Sequence, residues 1–132
     1  MSLAVGNGRF KKLEVWQRAH LLALAVDRTM APFPREEPFG LTAQLRRAAV
    51  SVPANIVEGC GRRGDRELAR FLRIALGSVT ELEYHCLLAN DLGLLERRVA
   101  DRLINEAREI QKMLSGLLHY LRTERIHIRS KT

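Results

Sequence analysis

The chain has 132 residues, which suits one domain, and it carries a formal net charge of +7 with a pI near 10.2. Apolar residues make up 46% and charged residues 28%, as in globular proteins, while aromatic residues reach only 5%, which favours helices over sheets. The chain has no secretory signal and no run near the roughly 18 apolar residues of a membrane span, so we expect a cytoplasmic protein without membrane contact.

The first half of the chain predicts two helices separated by a proline-rich connector. Apolar residues recur at helical spacing from Trp16 to Met30, which indicates a helix over about 13–31. Three prolines between positions 32 and 38 exclude a continuing helix. A second apolar stripe then predicts a helix over about 40–60, rich in small residues and ended by glycines.

The second half predicts two longer helices. One runs over about 65–90, with Asp65 as its N-cap and with the small pair Gly77-Ser78 suited to a close crossing or a slight bend. The other runs over about 96–122. Together the four helices indicate an all-α, up-down-up-down antiparallel four-helix bundle over residues 1–122. Residues 123–132 are predicted to be a basic, frayed tail that either assists binding or serves solubility.

No catalytic or cofactor site is predicted. Cys60 and Cys86 fall in apolar helical stripes, where a free thiol behaves as a small hydrophobe. The stretch Gly59–Gly64 spells G-x-G-x-x-G, but it follows a helix and lacks the strand that a dinucleotide fingerprint requires. We therefore expect a protein that is not an enzyme and binds no cofactor.

A metal site is not expected either. Di-metal bundles need a Glu-x-x-His pair on each of two helices, and here only Glu124 and His127, in the tail, have that spacing. Glu81 and His85 share one helix face, but no second matching pair accompanies them, so a hydrogen bond is the simpler interpretation.

The strongest candidate interface is a cluster of arginines around the turn between the second and third helices. Free amide groups at a helix start favour anions, and guanidinium groups pair with phosphates. We predict a nucleic-acid phosphate contact patch, to which two lysines near the N-terminus contribute; its members are Arg62, Arg63, Arg66, Arg70, Arg73, Lys11 and Lys12. The alternative is a solvated, charged turn without a ligand.

A polar stripe on the second helix is predicted to be structural. Its members recur at three- and four-residue steps and are Arg47, Ser51, Asn55 and Glu58. We expect a buried polar seam whose partners lie on other helices or other subunits and whose role is to specify packing. On this hypothesis, replacing Glu58 with alanine unfolds or disassembles the protein.

Several short motifs recur in a fixed order along the chain. They are Leu13–Gln17, Phe33-Pro34, Gly40-Leu41, Gln44–Ser51, Pro53–Asn55, Glu58-Gly59, Phe71-Leu72, Ala75, Gly77-Ser78, Glu81–Glu83 and Leu92-Gly93. With these motifs the chain resembles a known bacterial family, the four-helix-bundle proteins of 23S rRNA intervening sequences, and it is similar to the accessory variability protein of diversity-generating retroelements. The resemblance covers about 10–121, and the family often has tyrosine at the position of Phe39.

The resemblance implies a bundle that assembles into a ring, typically a homopentamer, and for the retroelement relatives it implies nucleic-acid binding and association with a reverse transcriptase. Together with the basic charge, it predicts a non-catalytic accessory protein that contacts RNA or DNA phosphates through an arginine-rich surface, with low sequence specificity. The alternative is a protein–protein interaction scaffold with no nucleic-acid role.

Overall fold

The computed structural model describes residues 8–33 and 40–131, with side chains to residue 123; Pro34, Pro38, Phe39 and the Glu124/His127 pair lie outside the described side chains. Within this part of the chain the structure is four α-helices and no strand. A short 3-10 helix, Arg9–Lys12, precedes them. The helices are α1 Glu14–Met30, α2 Leu41–Cys60, α3 Asp65–Asp91 and α4 Arg97–Lys131.

The fourth helix is longer than its apolar pattern suggested. Its backbone continues to Lys131, so residues 123–131 are helical and not the frayed tail that the sequence predicted. The physical reason is that no glycine or proline follows Gly116, and the segment contains residues such as arginine and glutamate that favour helices. The spacing of apolar residues predicted the helix correctly, but only a glycine or proline after it would have indicated where the helix ends.

The four helices form an up-down-up-down bundle. In the described residues each helix packs on two neighbours, α1 on α2 and α4, and α3 on α2 and α4, with no contact across either diagonal. Their directions follow from paired contacts, because the residue number rises on one helix as it falls on its neighbour. Such contacts are Ser51 with Ser78, Gly59 with Phe71, Glu83 with Arg108, and Arg18 with Glu106.

The core is one continuous cluster with many small members. Its largest fully buried side chains include Leu45, Ile56, Leu82 and Ile110, and alanines fill positions between them. α2 continues through the buried Pro53. Because so many core residues are small, neighbouring helices approach each other closely.

One glycine marks the closest approach between α2 and α3. A Cβ atom added at Gly59 would lie 3.0 Å from Cβ of Phe71 and 3.3 Å from the backbone oxygen of Leu68. Gly77 behaves differently, since a Cβ there would meet nothing within 4 Å. The predicted close crossing at Gly77 is therefore wrong within this chain, although its neighbour Ser78 does face α2.

The turn between α2 and α3 is short. Gly64 has a φ of 84°, a conformation that a side chain would strain, and it occupies the N-cap position. The prediction of Asp65 as N-cap is wrong by one residue, because Asp65 is the first residue of α3. Its carboxylate still lies in the first helical turn, where negative charge is favourable.

Candidate nucleic-acid interface

Most of the predicted phosphate-binding residues lie at one end of the bundle. Because the helices alternate in direction, the starts of α1 and α3 meet the ends of α2 and the 115–123 segment of α4. We name this the basic end; its exposed cations are Arg9, Lys11, Lys12, Arg62, Arg63, Arg66, Arg70, Arg73 and Arg122. In the part of this end whose side chains are described, the carboxylates are fewer, namely Glu14, Glu58, Asp65 and Glu67. The fold thus places Lys11 and Lys12 at the same end as the arginine cluster.

Two of the clustered arginines are held by their neighbours. The guanidinium carbons of Arg62 and Arg70 lie 5.2 Å and 4.5 Å from the ring centroid of the buried Phe71. Arg62 also pairs with Glu58 at 2.7 Å, and Arg70 with Glu67 at 3.0 Å. These two side chains therefore stabilise the α2–α3 turn. Their ion pairs offset part of their positive charge, so they attract a ligand less strongly.

The neighbouring arginines shift the pKa of the Glu67 carboxyl group. The hydrogen bond from Arg70 has the largest effect and lowers the pKa of Glu67. Desolvation raises this pKa, but by less than the hydrogen bond lowers it, and the positive charges of Arg70, Arg62 and Arg66 lower it further. Glu67 is thus ionised at neutral pH and offsets the charge of Arg70.

Arg63 and Arg66 are the more available members of the cluster. Both side chains are exposed, and neither forms an ion pair within 4 Å among the described side chains. Arg63 lies in the turn itself, and Arg66 lies in the first turn of α3. Both guanidinium groups are therefore open to a phosphate from solvent.

Arg73 lies apart from the turn, in a cleft between α3 and α4. The cleft is lined by Arg73, Ser115, Leu118, His119 and Arg122. Sequence reasoning included Arg73 in the cluster but missed Ser115 and His119. The available signal was their spacing, because Ser115, His119 and Arg122 follow one another at four- and three-residue steps on one helix face.

The lysines are carried by an ordered segment. The backbone oxygen of Lys11 accepts a hydrogen bond of 2.7 Å from the Gln17 side chain. The ring of Phe10 packs edge-on against Trp16, and His20 stacks on the same indole with its centroid 4.9 Å away. These contacts hold the 3-10 helix against α1, so Lys11 and Lys12 are presented from a fixed position.

The predicted polar seam is not buried within the single chain. Arg47 and Glu58 are exposed, and Glu58 pairs with Arg62 of its own helix end rather than with another helix. Ser51 and Asn55 are half-buried. The stripe lies along the outer border between α2 and α3, where its long members reach water, and only the short ones are enclosed.

The inner half of the seam does join two helices. Oγ of Ser51 lies 2.8 Å from Oγ of Ser78 on α3. The amide of Asn55 donates to the backbone oxygen of Ser51 at 2.8 Å and to its hydroxyl at 2.9 Å. This three-residue network links α2 to α3, as the packing hypothesis predicted for partners on other helices.

These contacts change the effect expected of Glu58→Ala and add a prediction for Asn55→Ala. We expect Asn55→Ala to lower the free energy of unfolding by about 1 kcal/mol, since it removes hydrogen bonds in a half-buried network. Glu58→Ala is expected to change it by only a few tenths of a kcal/mol, because its exposed ion pair is weak. Urea unfolding of both variants measures the difference, and a larger loss for Glu58→Ala would contradict this assignment.

The structure supplies little for acid, base or metal chemistry. Both cysteines are buried thiols outside any disulfide. Burial, and secondarily the charge of Glu83, raise the pKa of the Cys86 thiol to about 12. Nε2 of His85 lies 3.7 Å from Oε1 of Glu81, and the described residues contain no group of three potential metal ligands.

Thiol reactivity follows from this burial. A thiol whose pKa lies near 12 stays protonated at pH 8, and the attacking species in alkylation is the thiolate. We therefore expect the folded protein to resist iodoacetamide at pH 8 and to take up two labels once unfolded in denaturant, as measured by intact mass. Rapid labelling of Cys86 in the folded state would contradict the burial described above.

None of the described helices combines the length and apolarity that a membrane span requires.

Comparisons with known proteins address the family and the fold. The family described as 23S rRNA-intervening sequence protein matches residues 11–116. The crystal structure of a protein of unknown function, from the S23 ribosomal protein family of Bacteroides thetaiotaomicron, is similar with a TM-score of 0.71. The two chains are 22% identical, over 79% of this chain and 97% of that one, which supports a shared fold alone. No curated protein sequence matches this chain. The family match spans most of the bundle, and the chain belongs to the 23S rRNA-intervening sequence protein family.

Proposed function

We propose that this protein is a non-catalytic accessory protein that binds RNA or DNA phosphates through the basic end of its bundle. The observation that supports this most is the concentration of exposed cations at one end, where Arg63 and Arg66 in particular have no partner within ion-pair distance among the carboxylates that the structure describes. Such a surface attracts a polyanion through its charge and not through base contacts. Low sequence specificity follows.

We propose further that the protein acts as a homo-oligomeric ring, with a pentamer as the expected size from the family resemblance. Head-to-tail rings need two different surfaces on each subunit. Exposed apolar side chains lie on two different helices: Val50 on α2 is 57% exposed, as is Tyr84 on α3, close to Leu87. A ring would repeat the basic end around one axis and multiply a modest affinity by avidity.

The exposed apolar side chains also support a second candidate, a protein–protein scaffold without a nucleic-acid role. A groove on the outer face of α2, lined by Ala43, Arg46, Arg47 and Val50, has the mixed character of a protein interface. A reverse transcriptase is a candidate partner for either function, since the retroelement resemblance implies that association.

Hydrogen exchange with and without RNA separates these candidates. Nucleic-acid binding is expected to slow exchange at residues 9–12 and 61–73 and to leave residues 91–102, at the opposite end, unchanged. Unchanged exchange throughout at low salt would contradict the nucleic-acid function and favour the scaffold. Protection by RNA that is limited to the outer face of α2 would contradict the role of the basic end.

A further inference from the structure

We propose that the cleft between α3 and α4 is a binding site for a single phosphate group, formed by Arg73, Ser115, His119 and Arg122. The inference deepens the proposed function and rests on it, because it locates one phosphate of the bound polynucleotide. This cleft is distinct from the turn that carries Arg63 and Arg66, so the basic end would contact phosphate groups at two places.

The cleft draws donors from two helices. Arg73 approaches from α3, while Ser115, His119 and Arg122 line the opposite wall on α4, with Leu118 between them. A guanidinium group, a hydroxyl and an imidazole ring therefore converge from two sides of one depression. Nη2 of Arg122 lies 3.4 Å from Nδ1 of His119, which holds both polar groups on the same wall.

Of the carboxylates that the structure describes, none lines this cleft. Three arginines that reach a neighbouring helix elsewhere in the bundle end on an acidic partner there. These pairs are Arg18 with Glu106 at 3.1 Å, Arg46 with Asp27 at 3.2 Å and Arg108 with Glu83 at 3.1 Å. Among the described side chains, Arg73 and Arg122 have no such partner. Their charges are left for an anion from outside the chain.

A phosphate group matches this arrangement better than a carboxylate does. Its oxygens point in several directions and can accept from Arg73 and Arg122 on opposite walls at the same time. A hydroxyl such as that of Ser115 and an imidazole N–H add further donors of the kind that contact phosphates. A carboxylate has only two oxygens in one plane, so it can accept from fewer of these donors at the same time.

The test uses the full-length protein and compares the variant R73Q/R122Q with a matched control, R98Q/R102Q. The control arginines are exposed, lie on α4 at the opposite end and form no ion pair among the described side chains. Inorganic phosphate is titrated at constant ionic strength while NMR follows the backbone amides of residues 73, 115, 119 and 122. Affinity for a structured RNA is measured in parallel.

We expect saturable phosphate shifts at these four amides in the wild-type and control proteins. In R73Q/R122Q, phosphate affinity should fall about tenfold or more, since two charge-assisted hydrogen bonds are lost, and RNA affinity should fall with it. Weaker phosphate binding with unchanged RNA affinity would identify the site as one for free phosphate. Wild-type protein that binds phosphate in the cleft but no RNA would uphold the site and overturn the nucleic-acid function.

The proposal fails if phosphate causes no saturable shift in the cleft of the wild-type protein and if RNA affinity is the same for R73Q/R122Q and R98Q/R102Q. If RNA binding remained under those conditions, the proposed function would rest on Arg63 and Arg66 alone.

Discussion

Replacing Arg63 and Arg66 with glutamine is expected to flatten the salt dependence of RNA binding. Each phosphate contact that is lost removes close to one unit from the slope of log affinity against log salt concentration, so the double variant should lose about two units per bound subunit. These two residues are chosen because they are exposed and form no ion pair in the described structure. Arg62 and Arg70 are left intact, since both contact Phe71 and their loss would disturb the turn.

The matched control for this experiment is again R98Q/R102Q, which removes the same charge from the opposite end of the bundle. Dissociation constants are measured at four or more salt concentrations for the three proteins. The account requires a reduced slope for R63Q/R66Q and a slope near the wild-type value for the control. Equal slopes for both variants would mean that net charge, and not the basic end, governs binding.

Replacing Gly59 with alanine is expected to destabilise the bundle by about 1–3 kcal/mol. The new Cβ would lie 3.0 Å from Cβ of Phe71 and 3.3 Å from the backbone oxygen of Leu68, and neither atom can move without shifting α3. This overpacking outweighs the intrinsic preference of a helix for alanine over glycine, which is worth about 1 kcal/mol. The free energy of unfolding in urea measures the net effect.

Gly77→Ala is the internal control and should have the opposite sign. Gly77 is also helical, but a Cβ there meets nothing within 4 Å, so the substitution should stabilise the protein by about 0.5–1 kcal/mol. Opposite shifts in the unfolding midpoints of the two variants are predicted. If both glycines respond alike, α2 and α3 do not approach each other closely at Gly59.

The overall fold was predictable because its signals are local. Apolar spacing gave α1, α2 and α3 to within about two residues, which is the usual uncertainty at helix ends. The end of α4 was missed because no glycine or proline marks it. The role of Gly77 was also missed, since small size permits a close crossing at a position without showing that another helix passes there.

The sequence predicted which residues belong to the candidate interface, but it did not predict what each of them contacts. The sequence grouped the arginines, and the pairing of Arg62 with Glu58 could have been inferred from their four-residue spacing. The cleft around Arg73 could not have been inferred from the sequence, because it depends on the register of α3 against α4. The same limit explains the polar seam: burial of Glu58 depends on the rotation of α2 about its axis, which periodicity leaves uncertain by about one residue, or roughly 100°.

The central claim is that this protein binds nucleic acid through the charge of its basic end. The most direct test is the affinity of the purified wild-type protein for structured RNA and for duplex DNA at a low and a near-physiological salt concentration. The account predicts measurable binding to both that weakens steeply as salt is added. Absence of binding to either at low salt would contradict it and would leave the protein–protein scaffold as the better account of this bundle.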